Sequence, residues 1–185
     1  DPYFETPATM AVLRQIAQLG NPVLRAPAAT VPFPLSDEAR ALIDDMLETL
    51  RDADGVGLAA PQVHQPLQIM IVASRPNPRY PEAVEMDPLV VVNPEVVERS
   101  TELVKGWEGC LSIPGLRGEV ARHQRIKARY QTVHGESVVR EFDGFIARTF
   151  QHEDDHLRGI VFLDRLENGD RLATEREYQK RFARG

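Results

Sequence analysis

The residues best suited to chemistry in this chain form one short segment, His152–His156, with the sequence HEDDH. An α-helix has 3.6 residues per turn, so His152 and His156 would lie one turn apart on the same helix face and could bind one metal ion together. Glu153 follows the first histidine and could exchange protons with a water molecule at that ion. The pattern therefore predicts a hydrolytic metal site on a helix. The alternative is an ordinary charged turn of an exposed helix.

The spacing leaves open which acidic residue would act as the base. Glu153 and Asp155 lie on opposite sides of the predicted metal face, whereas Asp154 points away, towards solvent or a second layer of contacts. The H-E-x-x-H pattern favours Glu153 as the base. Asp155 would then support the site or accept structural hydrogen bonds.

A catalytic site of this kind usually has three protein ligands and a position for water. Upstream, Cys110 stands in Glu108–Ser112 (EGCLS), a segment whose glycine and polar residues predict a loop. Its thiolate would complete a set of one sulfur and two imidazole nitrogens, which suits Zn²⁺ or Fe²⁺. Otherwise Cys110 is a small buried core residue. Acidic alternatives lie downstream of the helix: Asp164, Glu167, Asp170, Glu175 and Glu177.

The hydrophobic pattern predicts the elements that must position these residues. Helices and strands do not alternate regularly, so the predicted fold class is α+β. The predicted helices run from Ser36, as N-cap, to about Asp52, from Gly144 to Leu157 after Asp143 as cap, and from about Ala173 to Ala183. The predicted strands are Leu67 to Ala73, Leu89 to Glu98 with a bend at Pro94, and a hairpin of Arg125 to Val133 and Ser137 to Phe142.

Composition fits one globular domain over residues 1–185, with 42% apolar and 27% charged residues. The net charge of −6 argues against direct DNA binding. One cysteine excludes an internal disulfide and favours a reducing compartment. No apolar run approaches the roughly 20 residues of a membrane span. Residues 1–9 lack the pattern of a signal peptide, and we expect them to be an added or disordered extension before a native start at Met10.

Two groups of basic residues could form surface patches that dock on a nucleoprotein, although solvated faces of a strand and a helix are the favoured interpretation. The first group is Arg117, Arg122, Arg125, Lys127 and Arg129, and the second is Arg176, Lys180, Arg181 and Arg184.

Three segments in this order resemble the motifs of the peptide deformylase family: Gly55–Gln62 (GVGLAAPQ), Glu108–Ser112 (EGCLS) and Gln151–His156 (QHEDDH). Gly20–Arg25 (GNPVLR) is similar to the opening segment of that family. The resemblance extends from about Ile16 to Leu166 and implies sheets, antiparallel or mixed, around a central helix that carries the H-E-x-x-H sequence.

The resemblance implies a hydrolase that removes the formyl group from the N-terminal formylmethionine of nascent polypeptides and releases formate. It also implies one divalent metal ion held by Cys110, His152 and His156, commonly Fe²⁺, with Zn²⁺, Ni²⁺ or Co²⁺ able to replace it. Glu153 would act as general acid and base. The carboxamide of Gln62 and the backbone N–H of Leu111 would stabilise the oxyanion.

The same resemblance implies a peptide site in which backbone groups pair with the substrate main chain and a pocket accepts the methionine side chain. The main-chain partners would be Val56, Gly57 and Gly109, and the pocket would be lined by Phe145, Arg148 and Thr149. Many members of the family carry an aliphatic residue at the position of Arg148. The polar Arg148 instead resembles the residue in organellar and some bacterial deformylases. Our hypothesis is that its aliphatic part lines the pocket while its guanidinium reaches outward.

The expected partners are formylmethionyl nascent peptides and, transiently, the ribosome, with no membrane. The expected location is the bacterial cytoplasm, or an organelle as the alternative. Two other functions share the metal helix: an endopeptidase, and a protein that binds formylated chains without hydrolysing them. Cys110 and the Gln62 segment argue against the former, and Glu153 argues against the latter.

Overall fold

The computed structural model describes residues 10–77, 80–81 and 83–183, and within them the chain forms two antiparallel sheets and three α-helices. The extension predicted at residues 1–9 lies outside the described residues. The strands are β1 Gly57–Ala59, β2 Ile69–Ser74, β3 Met86–Arg99, β4 Leu103–Cys110, β5 Ile113–His123, β6 Arg125–Gln131, β7 Ser137–Asp143 and β8 Leu172–Thr174. The helices are α1 Asp37–Asp52, α2 Gly144–Leu157 and α3 Glu175–Arg181.

Helix α2 holds the centre of the fold. The larger sheet has the strand order β1-β2-β3-β6-β7, and the smaller sheet has the order β4-β5-β8. Helix α2 contacts β1, β2, β6 and β7 of the larger sheet and β5 of the smaller one. Every residue from 149 to 157 is buried, including all five residues of the HEDDH sequence. The predicted α+β class is confirmed, and the metal helix is buried rather than exposed.

Helix α1 forms as the sequence predicts. The Ser36 hydroxyl accepts a hydrogen bond from the backbone N–H of Ala39 at 3.2 Å and caps the helix. The apolar residues at three- and four-residue steps are buried against the larger sheet. They are Ala39, Leu42, Ile43, Met46 and Leu50.

The predicted hairpin is also confirmed. Strands β6 and β7 pair up to Gln131 and Ser137, and Gly135 in the turn has a φ of 85°. Strand β2 begins slightly later than predicted, and β3 extends beyond both predicted ends. The register of β3 shifts between Val92 and Glu95, on either side of Pro94, where the sequence predicts a bend.

The prediction of a loop at Glu108–Ser112 is wrong in its first part. Residues up to Cys110 belong to β4, and Leu111 and Ser112 form the turn to β5. Gly106 and Gly109 interrupt the alternation of apolar and polar residues, so the period of a strand is hidden in the sequence. Cys110 is therefore held at the end of a paired strand.

The predicted last helix is shorter than expected at both ends. Leu172–Thr174 forms β8, which pairs with β5, and α3 begins only after it. The Thr174 hydroxyl accepts a hydrogen bond from the backbone N–H of Glu177 at 3.3 Å, which fixes the start of α3.

The structure contradicts the surface placement of two basic residues. Arg117 is 1% exposed and pairs with Glu175 of α3, whereas Arg122 is 5% exposed and pairs with the buried carboxylates of Glu108 and Asp155. Arg184 lies outside the described residues. The exposed members of the two groups are Arg125, Arg129, Arg176, Lys180 and Arg181.

Candidate metal centre

Cys110, His152 and His156 come together at the junction of β4 and α2. One potential ligand atom from each residue lies within 4.8 Å of the others. The Cys110 Sγ is 3.3 Å from the His156 Nε2, and the two imidazole centres are 5.2 Å apart on successive turns of α2. The helix spacing that suggested two ligands thus also points both rings at the thiol.

The cluster fits a divalent cation chemically. Burial lowers the pKa of His156 well below its ordinary value, which keeps its imidazole in the neutral form that binds metals. Burial also opposes protonation of His152, but hydrogen bonds with Cys110 and Glu108 outweigh it and raise its pKa well above the ordinary value. The surroundings of His152 therefore stabilise a positive charge, as they would stabilise that of a bound cation. The donor set of one sulfur and two nitrogens suits Zn²⁺ and Fe²⁺.

Glu108 orients the first histidine and was missed by the sequence analysis. Its Oε2 lies 2.9 Å from the Nδ1 of His152, which leaves Nε2 for the cluster. Arg122 donates to both carboxylate oxygens at 2.9 and 3.0 Å, and Arg148 donates to Oε1 at 2.9 Å. Burial opposes ionisation of Glu108, but the His152 hydrogen bond and the Arg122 charge hold its pKa well below the ordinary value. The sequence signal for this role was its position, because Glu108 lies two residues before the predicted ligand Cys110.

The orientations of the three acids on α2 answer the question left open by the spacing. Asp155 accepts hydrogen bonds from Arg122 at 2.6 Å and Arg165 at 2.7 Å, and so has a structural role. Asp154 is paired with Arg158 at 3.0 Å. Glu153 alone of the three lines the cleft at the metal cluster. Its Oε2 is buried without a hydrogen-bond partner among the described residues.

Burial also sets the acidity of Glu153. Loss of solvent raises the pKa of its carboxyl to about 7, which outweighs the opposite effect of the neighbouring His152. A group with a pKa near neutrality can both accept and donate a proton under ordinary conditions. The buried carboxyl is therefore suited to general acid–base catalysis.

Two downstream acids considered as the third ligand have other partners. Asp164 pairs with Arg25, and Glu175 accepts a hydrogen bond from Arg117 at 2.8 Å. The favoured ligand, Cys110, is the one that the structure brings to the histidines.

Gly57 gives the Glu153 carboxylate its space. A Cβ atom built on Gly57 would lie 2.3 Å from the Glu153 Oε1, far inside van der Waals contact. We expect Gly57→Ala to displace the carboxylate and to lower kcat by at least about 10-fold, since small misplacements of a catalytic group can cost up to about 100-fold. Gly169→Ala is the matched control, because a Cβ at Gly169 meets nothing within 4 Å. Steady-state kinetics on both variants measure the effect, and equal kcat values would contradict it.

Gln62 is held at the cluster by both ends of its carboxamide. Its Oε1 accepts from the backbone N–H of Ala59 at 2.9 Å. Its Nε2 donates to the Ser112 hydroxyl at 3.1 Å and lies 3.5 Å from the Cys110 Sγ. The side chain is 1% exposed. Gln62 therefore presents N–H donors beside the thiol in a fixed orientation.

All the predicted site residues except His156 line one cleft, and His156 lies directly behind it against Cys110. Gly55, Tyr80 and Glu108 complete the lining. Tyr80 was not predicted, because it lies in a proline-rich segment that gives no periodic signal.

The cleft runs between the edges of the two sheets. Val56 and Gly57 lie at β1, the edge strand of the larger sheet, and Gly109 lies on β4, the edge strand of the smaller sheet. Edge strands expose backbone N–H and C=O groups that can pair with an extended chain. The cleft can therefore bind a peptide through its main chain.

One face of α2 lines the cleft with Phe145, Arg148 and Thr149. The hypothesis for Arg148 is half right. Its side chain lines the cleft, but its guanidinium does not reach outward. It donates instead to the Glu108 carboxylate and to the backbone carbonyl of Val120, each at 2.9 Å. The Arg148 guanidinium is therefore held by hydrogen bonds within the fold.

No helix in the part of the chain that the structure describes is long and apolar enough to span a membrane.

Comparison with known proteins agrees with this geometry. Residues 13–172 match the polypeptide deformylase family. The chain is 51% identical over 168 residues to peptide deformylase 2 of Nostoc sp., which covers 91% of this chain and 94% of that relative. A second relative, peptide deformylase 2 of Shewanella oneidensis, is 51% identical over 150 residues, covering 81% of this chain and 82% of its own length.

Solved structures match over the same region. The class I type b peptide deformylase of Acinetobacter baumannii with bound Met-Ala-Ser has a TM-score of 0.83 and 47% identity, and the match covers 85% of this chain and 100% of that one. The Thermotoga maritima peptide deformylase has a TM-score of 0.75 and 38% identity, covering 84% of this chain and 99% of that one. The chain belongs to the polypeptide deformylase family, metal-dependent enzymes that remove N-formyl groups from nascent peptides.

Proposed function

We propose that this chain hydrolyses the formamide bond of N-terminal formylmethionine at a metal ion held by Cys110, His152 and His156, with Glu153 as general base and acid. The observation that supports this most strongly is the convergence of these four side chains in one buried site beside the cleft that runs between the two sheets. Fe²⁺ is the proposed native ion, and Zn²⁺, Ni²⁺ or Co²⁺ could replace it at the same ligands.

When bound, the ion would lower the pKa of a water molecule and polarise the formyl oxygen. Glu153 takes a proton from the attacking water, whose oxygen forms a bond to the formyl carbon. The C–N bond then breaks, and the same carboxyl passes the proton to the departing amine. The second proton of the water stays on the formic acid, which loses it to become formate, and the other product is a peptide with a free N-terminal methionine. The near-neutral pKa of Glu153 suits both transfers.

Two donors from this chain are proposed to stabilise the negative charge on the former formyl oxygen. The Gln62 carboxamide is fixed beside Cys110 by its contacts with Ala59 and Ser112. The backbone N–H of Leu111 belongs to the turn that directly follows Cys110. Donors that are already oriented need no reorganisation as charge develops, so they stabilise the transition state more than the substrate.

We expect Gln62→Leu to lower kcat about 100- to 1000-fold, the usual effect of losing one oxyanion donor. The metal content is expected to stay unchanged, because Gln62 is not a ligand. Gln15→Leu makes the same change on an exposed side chain and is the control. Parallel measurement of kcat and bound metal tests the role. A full metal content with undiminished kcat would remove Gln62 from the mechanism.

The substrate is proposed to lie along the cleft as an added strand. Its main chain would pair with Val56 and Gly57 on one side and Gly109 on the other, a mode that recognises backbone rather than sequence. The methionine side chain would enter the pocket formed by Phe145, Thr149 and the aliphatic part of Arg148. Because the Arg148 guanidinium is held by Glu108 and by the backbone carbonyl of Val120, its aliphatic part is left to line the pocket, which can accept an apolar side chain.

Formate release from formyl-Met-Ala-Ser by anaerobically prepared Fe²⁺ protein tests the function. We expect release of one formate per peptide, slower turnover of formyl-Ala-Ala-Ser, and no cleavage of the internal Met-Ala bond. Cleavage of that bond would identify an endopeptidase instead. Tight binding of the formyl peptide without release of formate would identify a binding protein. Either result would overturn the proposal.

We also propose that residues 1–185 form one domain that meets its substrate at the ribosome, in the bacterial cytoplasm or in an organelle. The match over residues 13–172 supports the single domain, and the bacterial relatives support the bacterial location. Co-sedimentation of the protein with translating ribosomes tests the association, and absence of the protein from the ribosome fraction would contradict it.

A further inference from the structure

Arg117 on β5 has an unusual environment for a charged side chain. It is 1% exposed, and its Nε donates to the Glu175 carboxylate on α3 at 2.8 Å. Its Nη1 and Nη2 atoms are buried without a hydrogen-bond partner among the residues that the structure describes. Unpaired buried donors are costly and rare, so an interaction other than a hydrogen bond must stabilise the Nη1 and Nη2 end of this guanidinium.

Two aromatic rings fill that role. The Arg117 Cζ lies 5.0 Å from the ring centre of Tyr80 and 5.1 Å from the ring centre of Tyr178 on α3. A planar, weakly hydrated guanidinium is well suited to contact with aromatic faces, and such contacts strengthen when water is excluded. Arg117 therefore joins α3 to Tyr80.

The Arg117 guanidinium lies close to both walls of the peptide cleft. Tyr80 lines the cleft, and its ring centre is 4.9 Å from that of Phe145, in the proposed methionine pocket. On the other side, a Cβ built on Gly109 would lie 3.2 Å from the Arg117 Nε, so the strand edge that faces the substrate rests almost directly on this guanidinium. Movement of Arg117 would therefore disturb the pocket and the strand edge together.

Helix α3 is itself fixed to the smaller sheet. Trp107 on β4 contacts Tyr178 and Phe182, with ring centres 5.2 and 4.6 Å apart. Strand β8, which immediately precedes α3, pairs Ala173 with Arg117. The C-terminal helix thus has a defined position from which it can hold the guanidinium.

We propose that α3 determines specificity for the first side chain of the peptide, by holding Arg117 against Tyr80 at the wall of the pocket. Arg117, Glu175 and Tyr178 are positioning residues, because they act through Tyr80 and Gly109 and not on the reacting atoms. The proposal rests on the proposed function, since peptide recognition is what it explains. We therefore expect substitutions of these residues to change KM and the selectivity between formylated peptides and to leave kcat nearly unchanged.

The principal test compares Tyr178→Ala with Tyr178→Phe, which keeps the ring, and with Glu177→Gln, which changes an exposed pair on the same helix. For Tyr178→Ala we expect KM for formyl-Met-Ala-Ser to rise about 3- to 30-fold, as for loss of one partly desolvated cation–π contact. The ratio of kcat/KM for formyl-Met-Ala-Ser to kcat/KM for formyl-Ala-Ala-Ser should fall, and kcat for formyl-Met-Ala-Ser should stay within about 2-fold of the parent value. Tyr178→Phe and Glu177→Gln should behave like the parent protein. Unchanged KM and selectivity in Tyr178→Ala would overturn the proposal.

A second variant separates positioning from loss of structure. Glu175→Gln keeps the aromatic contacts of Trp107, which is the chain's one tryptophan, so Trp107 fluorescence reports whether α3 stays in place. We expect unchanged emission together with a raised KM. Unchanged emission with unchanged KM would contradict the role of Arg117.

The binding of the product peptide Met-Ala-Ser distinguishes failure of this inference from failure of the proposed function. If the parent protein releases no formate, the deformylase function fails, but weaker Met-Ala-Ser binding by Tyr178→Ala than by Tyr178→Phe still supports the role of α3. Equal binding by the two variants overturns that role whether or not formate is released.

Discussion

Glu153→Gln is expected to lower kcat for formyl-Met-Ala-Ser by about 100- to 10,000-fold, the usual contribution of a general acid–base group. Glutamine has nearly the same shape as glutamate but does not exchange protons at neutral pH. The proposed ligands Cys110, His152 and His156 do not depend on this carboxylate, so metal content should remain at that of the parent protein. Steady-state kinetics on preparations of matched metal content measure the effect.

Asp154→Asn is the matched control for this prediction. Asp154 is the next residue on α2, but its carboxylate is paired with Arg158 and does not line the cleft. We expect the control to keep kcat within a few-fold of the parent value. If Glu153→Gln and Asp154→Asn had similar activities, Glu153 would not be the group that transfers the proton.

Cys110→Ser is expected to lose both metal and activity. Serine keeps the size of the side chain, but its hydroxyl is not ionised at neutral pH and is a poor ligand for soft divalent ions. Only two neutral imidazoles would remain at the site. The loss of metal affinity should exceed the roughly 10- to 100-fold effect of removing a group that merely orients a ligand. Metal analysis after dialysis at a fixed free-metal concentration measures it.

Glu108→Gln provides the graded comparison. Glu108 contacts the Nδ1 of His152 and not the proposed metal position, so its loss should weaken metal binding by about 10- to 100-fold. The order of affinities is expected to be parent protein, then Glu108→Gln, then Cys110→Ser. Equal metal content in Cys110→Ser and the parent protein would show that the thiol is not a ligand.

The metal helix could be predicted from the sequence because its information is local. The spacing of His152 and His156 needs only helix geometry, and Gly144 to Leu157 is helical as predicted. The order of the acids around the helix could also be predicted. Helix spacing alone could not decide between Glu153 and Asp155, because that depends on Arg122 and Arg165, which reach Asp155 from other elements. The H-E-x-x-H pattern favoured Glu153, and Glu153 is the acid that lines the cleft.

The burial of charge was the main failure of sequence reasoning. Charged side chains are mostly exposed, so a run of arginines on strands is ordinarily read as a surface. Arg122 is buried because Glu108 and Asp155 meet it from β4 and α2. Pairing between residues distant in sequence does not appear in any local pattern. The same holds for Tyr80, which reaches the cleft from a segment without periodicity.

Strand β4 is another part of the site that the sequence pattern did not reveal. Its glycines hide the period of a strand, so Cys110 was expected on a loop. In the structure, β4 pairs with β5 and carries Glu108 and Cys110 to the face of α2. A strand gives the thiol a more fixed position than a free loop would, and this fits its proposed role as a ligand.

The central claim is that one metal ion at Cys110, His152 and His156 is required for formate release. Its most direct test is a titration of metal-free protein with Fe²⁺ under anaerobic conditions, with formate release and bound iron measured on the same samples. We predict that activity rises in proportion to bound iron and reaches its maximum at one ion per chain. Formate release at full rate by the metal-free protein, or no release at one bound ion per chain, would contradict the claim.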